Sequence, residues 1–89
     1  MRCPYRQVLK IHGEAGQLGK LVEEVGELSD ALLLYTGLNA QDGVEMGKAH
    51  VIEECADVLN VIRSLDLAWG GKVEAMARTK MLRQQIREL

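Results

Sequence analysis

Apolar residues recur every three or four positions along most of this chain, the period of a helix that packs on one side. Leu18, Leu21, Val22, Val25, Leu28, Leu32 and Tyr35 form one stripe, and the spacing predicts a helix from about Gln17 to Thr36, stopped by Gly37. Val51, Ile52, Cys55, Val58, Leu59, Ile62, Leu65 and Trp69 form a second, predicting a helix to about Trp69, ended by Gly70-Gly71. Ahead of these, Pro4 opens a short helix through Ile11, since proline is tolerated in a first turn. His12 to Gly16, with two glycines, reads as a break. Leu38 to Gly47 reads as a loop in which Asp42 and Glu45 have the spacing of a capping box. A last helix is expected from about Val73; its short apolar stripe of Val73, Met76 and Ala77 gives way on the same face to Lys80, Arg83 and Arg87. The expected fold is all-α, an antiparallel helical bundle formed by one domain spanning residues 1–89.

The polar positions carry a second pattern. Glu23-Glu24-Val25-Gly26-Glu27 and Glu53-Glu54-Cys55-Ala56-Asp57 each place two acids three apart within a helical run. Such positions share a helix face, and like charges there weaken an isolated helix by a few tenths of a kcal/mol. One such pair is ordinary solvated surface; two with matching placement are more informative. At about 100° per residue, Glu24 lies roughly 80° to one side of its stripe and Glu27 roughly 140°, and Glu54 and Asp57 take about the same offsets. If the helices pack antiparallel, stripe against stripe, both pairs emerge on one side of the layer. Ala31 and Leu34 share that side, so further cover is expected, from a second copy of the chain completing a four-helix bundle as a dimer or tetramer.

Composition narrows the chemistry. Phe is absent and Pro occurs once, which suits a core of Leu, Val, Ile, Ala and Met in helices. No apolar run reaches membrane-spanning length, and no basic-then-apolar leader is seen, so a cytoplasmic protein is expected. Cys3 and Cys55 are too few for a disulfide framework. Net charge is −2, but residues 14–66 carry −8 and residues 67–89 carry +3. An acidic middle beside a basic end suits a cation and a polyanion bound together, and argues against nucleic-acid binding. Mg²⁺, which takes oxygen ligands from carboxylates and phosphates, is the natural cation, with Mn²⁺ as a substitute. A di-iron bundle would require Glu-x-x-His on its helices, and here His50 precedes Glu53 in the reverse order. His12 and His50 read as ordinary polar residues. No Ser/His/Asp or Cys/His set suggests a covalent nucleophile.

At these acids the chain resembles the MazG-like all-α nucleoside triphosphate pyrophosphohydrolases. Gln17-Leu18-Gly19-Lys20-Leu21-Val22-Glu23-Glu24-Val25-Gly26-Glu27-Leu28 is similar to that family's opening signature, and Glu54-Cys55-Ala56-Asp57-Val58-Leu59 to its second, across a 26-residue spacer. Lys80-Met81-Leu82-Arg83 resembles the basic segment that closes the module, although no asparagine lies where one is expected nearby. The resemblance covers roughly residues 7–84. It implies hydrolysis of a (deoxy)nucleoside triphosphate to the monophosphate and pyrophosphate, a nucleotide-pool housecleaning activity. It implies Mg²⁺ held by Glu24, Glu27, Glu54 and Asp57, with Glu23 or one of these acids taking the attacking water's proton. By the same resemblance Gln17, Lys20, Asn60, Lys80 and Arg83 are candidates for substrate binding. Tyr5, His12, Gln17 and Trp69 are candidate base contacts, although Trp69 on the apolar stripe reads first as core. Two alternatives remain: a phosphoribosyl-ATP pyrophosphatase-like enzyme, whose second motif tends to be followed by Tyr-His where this chain has Asn60-Val61, and a non-catalytic helical assembly or regulatory module.

Overall fold

A computed structural model describes residues 3–37 and 44–89. Among the described residues the chain is all-helical: α1 spans Pro4–Gly37, α2 spans Val44–Ala68 and α3 spans Lys72–Glu88. The expected capping pair involves Asp42, which lies outside the described residues. The expected break at residues 12–16 is confined to one residue. Gly13 alone leaves helical geometry, at φ 70 and ψ 173, while Glu14 to Gly16 are helical. A side chain is strongly disfavoured at that φ, and glycine is not.

Contacts to α2 show what Gly13 does. Ahead of it, Tyr5 meets Asn60 and Ser64; just beyond it, Glu14 meets Trp69. Farther along, Glu24 and Glu27 lie beside Glu54. Partner numbers rise together up to the kink and run in opposite senses after it. The segment before Gly13 is thus turned back across the contact between the rest of α1 and α2, so α1 acts as two packing elements.

The packed rows differ from the expected stripes. On α1 the covered positions are Gln17, Leu21, Glu24, Leu28, Ala31 and Tyr35; on α2 they include Val51, Glu54, Val58, Val61 and Leu65. Val22 and Val25, expected in the core, are 75% and 49% exposed, and Ile52 and Leu59 are 58% and 44% exposed. Cys55, also expected on that face, is an exposed free thiol. The physical reason is the width of the apolar arc. It covers more of each helix than one neighbour can, so periodicity does not say which edge faces inward. The helices meet along the edge nearer the acids, which puts Glu24 and Glu54 inside the contact.

Beyond Leu65, Gly70 and Gly71 take left-handed φ values of 66 and 77, and Gly71 N–H donates to the Asp66 carbonyl at 2.9 Å. The Asp66 carboxylate accepts from the backbone N–H groups of Val73 (2.8 Å) and Glu74 (3.1 Å), satisfying donors that a helix start leaves open. One residue thus closes the chain end of α2 and starts α3. No residue of α3 is buried. Its expected apolar stripe of Val73, Met76 and Ala77 therefore forms no core within this chain.

Only Ala31, Val61 and Leu65 are buried apolar residues among those described. The radius of gyration is 16.2 Å, against roughly 12 Å for a compact domain of this length. No helix among the described residues is long and apolar enough to cross a membrane.

Gly13→Ala is expected to destabilise the chain by ~1–2 kcal/mol because its φ is positive. Gly26→Ala, in helical backbone with open space around the added carbon, is expected to stabilise by up to ~1 kcal/mol. Urea melts of the two variants check both signs.

Candidate metal centre and adjoining groove

Three of the four expected ligands are brought together. Carboxylate oxygens of Glu24, Glu27 and Glu54 lie within 4.8 Å of one another. Glu24 and Glu27 share a face of α1, three residues apart, and the α1–α2 contact supplies Glu54 from across the gap. Asp57 is exposed and does not belong to this group among the described residues.

Burial makes the group electrostatically unusual. Glu24 is 5% exposed. Lys20 reaches one of its oxygens at 3.0 Å, and His50 Nε2 lies 3.3 Å from one oxygen of Glu54. The other oxygen of each acid, Glu24 Oε2 and Glu54 Oε2, is buried without a hydrogen-bond partner. Buried polar atoms are nearly always partnered, and leaving one unsatisfied costs ~1–3 kcal/mol, more for a charged group. The charge of Glu24 pushes the Glu27 carboxyl above its ordinary range, with partial loss of hydration next and Glu54 adding to it. The hydrogen bond from Lys20 to Glu24, reinforced by the charges of Glu24 and Glu23, holds the ammonium above its usual range. An all-carboxylate donor set with two unpartnered buried oxygens fits a hard divalent cation such as Mg²⁺.

Lys20 connects the triad to a groove of ≈780 Å³ enclosed by both parts of α1 and by α2. Gln17, Lys20, Glu23 and Asn60 line it together, bringing four candidate residues to one place. Tyr5 and His12 also line it; both are supplied by the segment that Gly13 turns back. Gln17 is buried. The Tyr5 hydroxyl donates to Asn60 Oδ1 at 3.2 Å and accepts from Arg63 at 3.2 Å, while Ser64 Oγ donates to the Tyr5 carbonyl at 3.0 Å. The cavity is thus largely apolar, with Pro4, Val8 and Val61 in its wall, and carries the amides of Gln17 and Asn60 and the ammonium of Lys20, which pairs with Glu24 of the triad.

Other candidates lie elsewhere. Lys80 and Arg83 line a separate shallow groove on α3 with Arg87, and none of them lines the cavity beside the triad. Trp69 is not plain core: it is half-buried and its indole N–H donates to Glu14. Reading His50 as an ordinary polar residue misses its place beside Glu54, whereas His12, a candidate base contact, does line the groove. His50 sits four before Glu54, a spacing visible in the sequence. His12 lines the groove only because Gly13 redirects the chain, and no sequence period signals that. Arg63 and Ser64 likewise became visible only through their contacts with Tyr5. No protein-family model, curated protein or solved structure matches the chain.

In the presence of a chelator, Glu27→Gln is expected to raise the melting temperature at neutral pH, because it removes a charge held against Glu24. A carboxyl whose folded-state pKa is raised costs stability as pH climbs through and above the ordinary carboxylate range. The gain should therefore shrink as pH falls and wild-type Glu27 takes up its proton. Melts in EDTA across pH 4–8, about the ordinary glutamate range and above it, check the trend.

Proposed function

We propose that this protein is a Mg²⁺-dependent pyrophosphohydrolase of (deoxy)nucleoside triphosphates, releasing the monophosphate and pyrophosphate in a nucleotide-pool housecleaning role. One observation carries the reading: Glu24 and Glu54, each with one buried oxygen that has no partner, bring carboxylate oxygens within 4.8 Å of each other and of Glu27. Together with Glu27 they form an oxygen-only set next to a groove large enough for a nucleotide. The signatures similar to MazG-like enzymes agree with it, and the fold type proposed is accordingly that of an all-α pyrophosphohydrolase bundle.

On this reading Glu24, Glu27 and Glu54 hold the ion, with Asp57 one turn farther along α2. The bound ion supplies positive charge to the triphosphate oxygens and acidity to water. Water's oxygen attacks the α-phosphorus, the α–β anhydride bond breaks, and pyrophosphate leaves with the bond's electron pair. Glu23, which lines the groove outside the triad, takes the proton. Lys20 pairs with Glu24 and faces the phosphates. Gln17 and Asn60 bind the nucleoside. The chain does most of its work by positioning and charge, as phosphoryl chemistry generally requires.

We also propose a homo-oligomer, dimer or tetramer. The support is the exposed apolar edge at Val22, Val25, Ile52 and Leu59 and an α3 that buries nothing. Patches of this kind mark interaction surfaces. Lys80 and Arg83 remain candidates for the triphosphate tail in that assembly, since within one chain they lie apart from the groove.

With Mg²⁺, pyrophosphate release from canonical or deoxy triphosphates is expected, and Glu54→Gln should lower kcat at least ~100-fold, the scale on which loss of transition-state charge stabilisation is felt. Absence of release from every triphosphate, or full activity of Glu54→Gln, sinks the enzyme reading. Sedimentation at micromolar concentration is expected to show an oligomer; a stable monomer would remove the assembly proposal.

A further inference from the structure

The Tyr5 hydroxyl decides which end of the Asn60 amide a ligand meets. Arg63 can only donate hydrogen bonds. Its N–H reaches the Tyr5 oxygen at 3.2 Å, and its guanidinium lies 6.0 Å from the ring centroid. The Tyr5 oxygen is thereby an acceptor from Arg63, and its own proton goes to Asn60 Oδ1, also at 3.2 Å. That contact occupies the carbonyl end of the amide. The Asn60 NH₂ has no partner among the described residues, and Asn60 lines the groove. The segment carrying Tyr5 is held separately, by the hydrogen bond from Ser64 to the Tyr5 backbone carbonyl at 3.0 Å.

We infer that Tyr5 and Arg63 are positioning residues that lock Asn60 as a hydrogen-bond donor in the groove, so that this position selects an acceptor on the nucleoside. The inference rests on the nucleotide reading given above. The direction of the first bond follows from Arg63 having no acceptor, and that of the second from the Tyr5 hydroxyl meeting Asn60 Oδ1, which can only accept. A donor fixed in this way favours a base carbonyl or a sugar oxygen over an exocyclic amino group. An amide free to flip would not discriminate. Arg63 touches no part of the groove itself and acts through the Tyr5 hydroxyl. Tyr5 also lines the groove, but its hydroxyl is committed to Asn60.

The test is steady-state kinetics on UTP, CTP and their 2′- and 3′-deoxy forms. It compares wild type, Tyr5→Phe, Asn60→Ala and the double variant. Tyr5→Phe keeps the ring and the Ser64 contact. It is expected to raise KM about tenfold with kcat little changed, the effect of one lost hydrogen bond in a partly buried site. In the Asn60→Ala background the same change should cost nothing further, because Tyr5 acts through that amide; a packing role would add its full loss. If the acceptor is O4 of the base, wild type favours UTP over CTP; if it is N3, wild type favours CTP; either preference disappears in both single variants. If it is on the sugar, both bases fall together, and one deoxy form is insensitive to Asn60→Ala. Additive losses overturn the inference. A loss equal for UTP and CTP and for every sugar form assigns the contact to O2, common to both bases, and is expected to be absent with inorganic triphosphate; the same loss with inorganic triphosphate overturns the inference. Each of these leaves pyrophosphate release itself intact. No hydrolysis of any triphosphate by wild type overturns the nucleotide reading and this inference together.

Discussion

Two carboxylates facing each other inside a helix–helix contact constrain everything else here. Glu24 on α1 and Glu54 on α2 sit where a leucine pair would be expected. Each has one oxygen partnered from its own helix, by Lys20 and by His50, and one oxygen unpartnered. A buried and a half-buried carboxylate set against each other are a poor stability device, because each leaves a covered oxygen without a hydrogen-bond partner. The arrangement makes physical sense if a positive ion completes it. The proposed chemistry uses that requirement, since an ion held by carboxylates still has positions to offer phosphate oxygens.

The rest of the chain aims other groups at this point. Gly13 turns the first helical segment back so that Tyr5 and His12 face the same groove as Lys20 and Asn60. Asp66 and the Gly70-Gly71 pair send α3 away from the helix pair. The cost is a thin core, because Leu65, Val61 and Ala31 are the buried apolar residues among those described. The apolar edge left over is what an oligomer would use, and the basic face of α3 would join the site only within such an assembly. Stability, assembly and catalysis would then be coupled through the same helix faces.

The groove differs from the triad in kind. Its walls are largely apolar, and the few polar groups on them set one another's directions, with Arg63 donating to Tyr5 and Tyr5 to Asn60. Such a chain of donors and acceptors discriminates by polarity rather than by size, because a mismatched ligand leaves a committed group unpaired. On the proposed reading, the ion site would set what reaction is possible and these polar groups which nucleoside is held for it.

Much of this was legible in the residues. Helical periods located most of each helix among the described residues, although α2 begins at Val44, inside the stretch Leu38 to Gly47 expected as loop; Gly13 and Gly70-Gly71 marked the breaks, and the repeated acids singled out Glu24, Glu27 and Glu54. Those signals are local, carried by spacing within one helix. Sequence left open the rotation of each helix about its axis, because the apolar arc was broad enough to permit several. Tertiary packing chose the edge nearer the acids. That choice buried Glu24 and Glu54, left Val22 and Val25 exposed, and kept Asp57 out of the triad. It also brought Tyr5 to Asn60 across 55 residues of chain, a contact no period predicts, since it depends on the angle that a single glycine gives to the backbone.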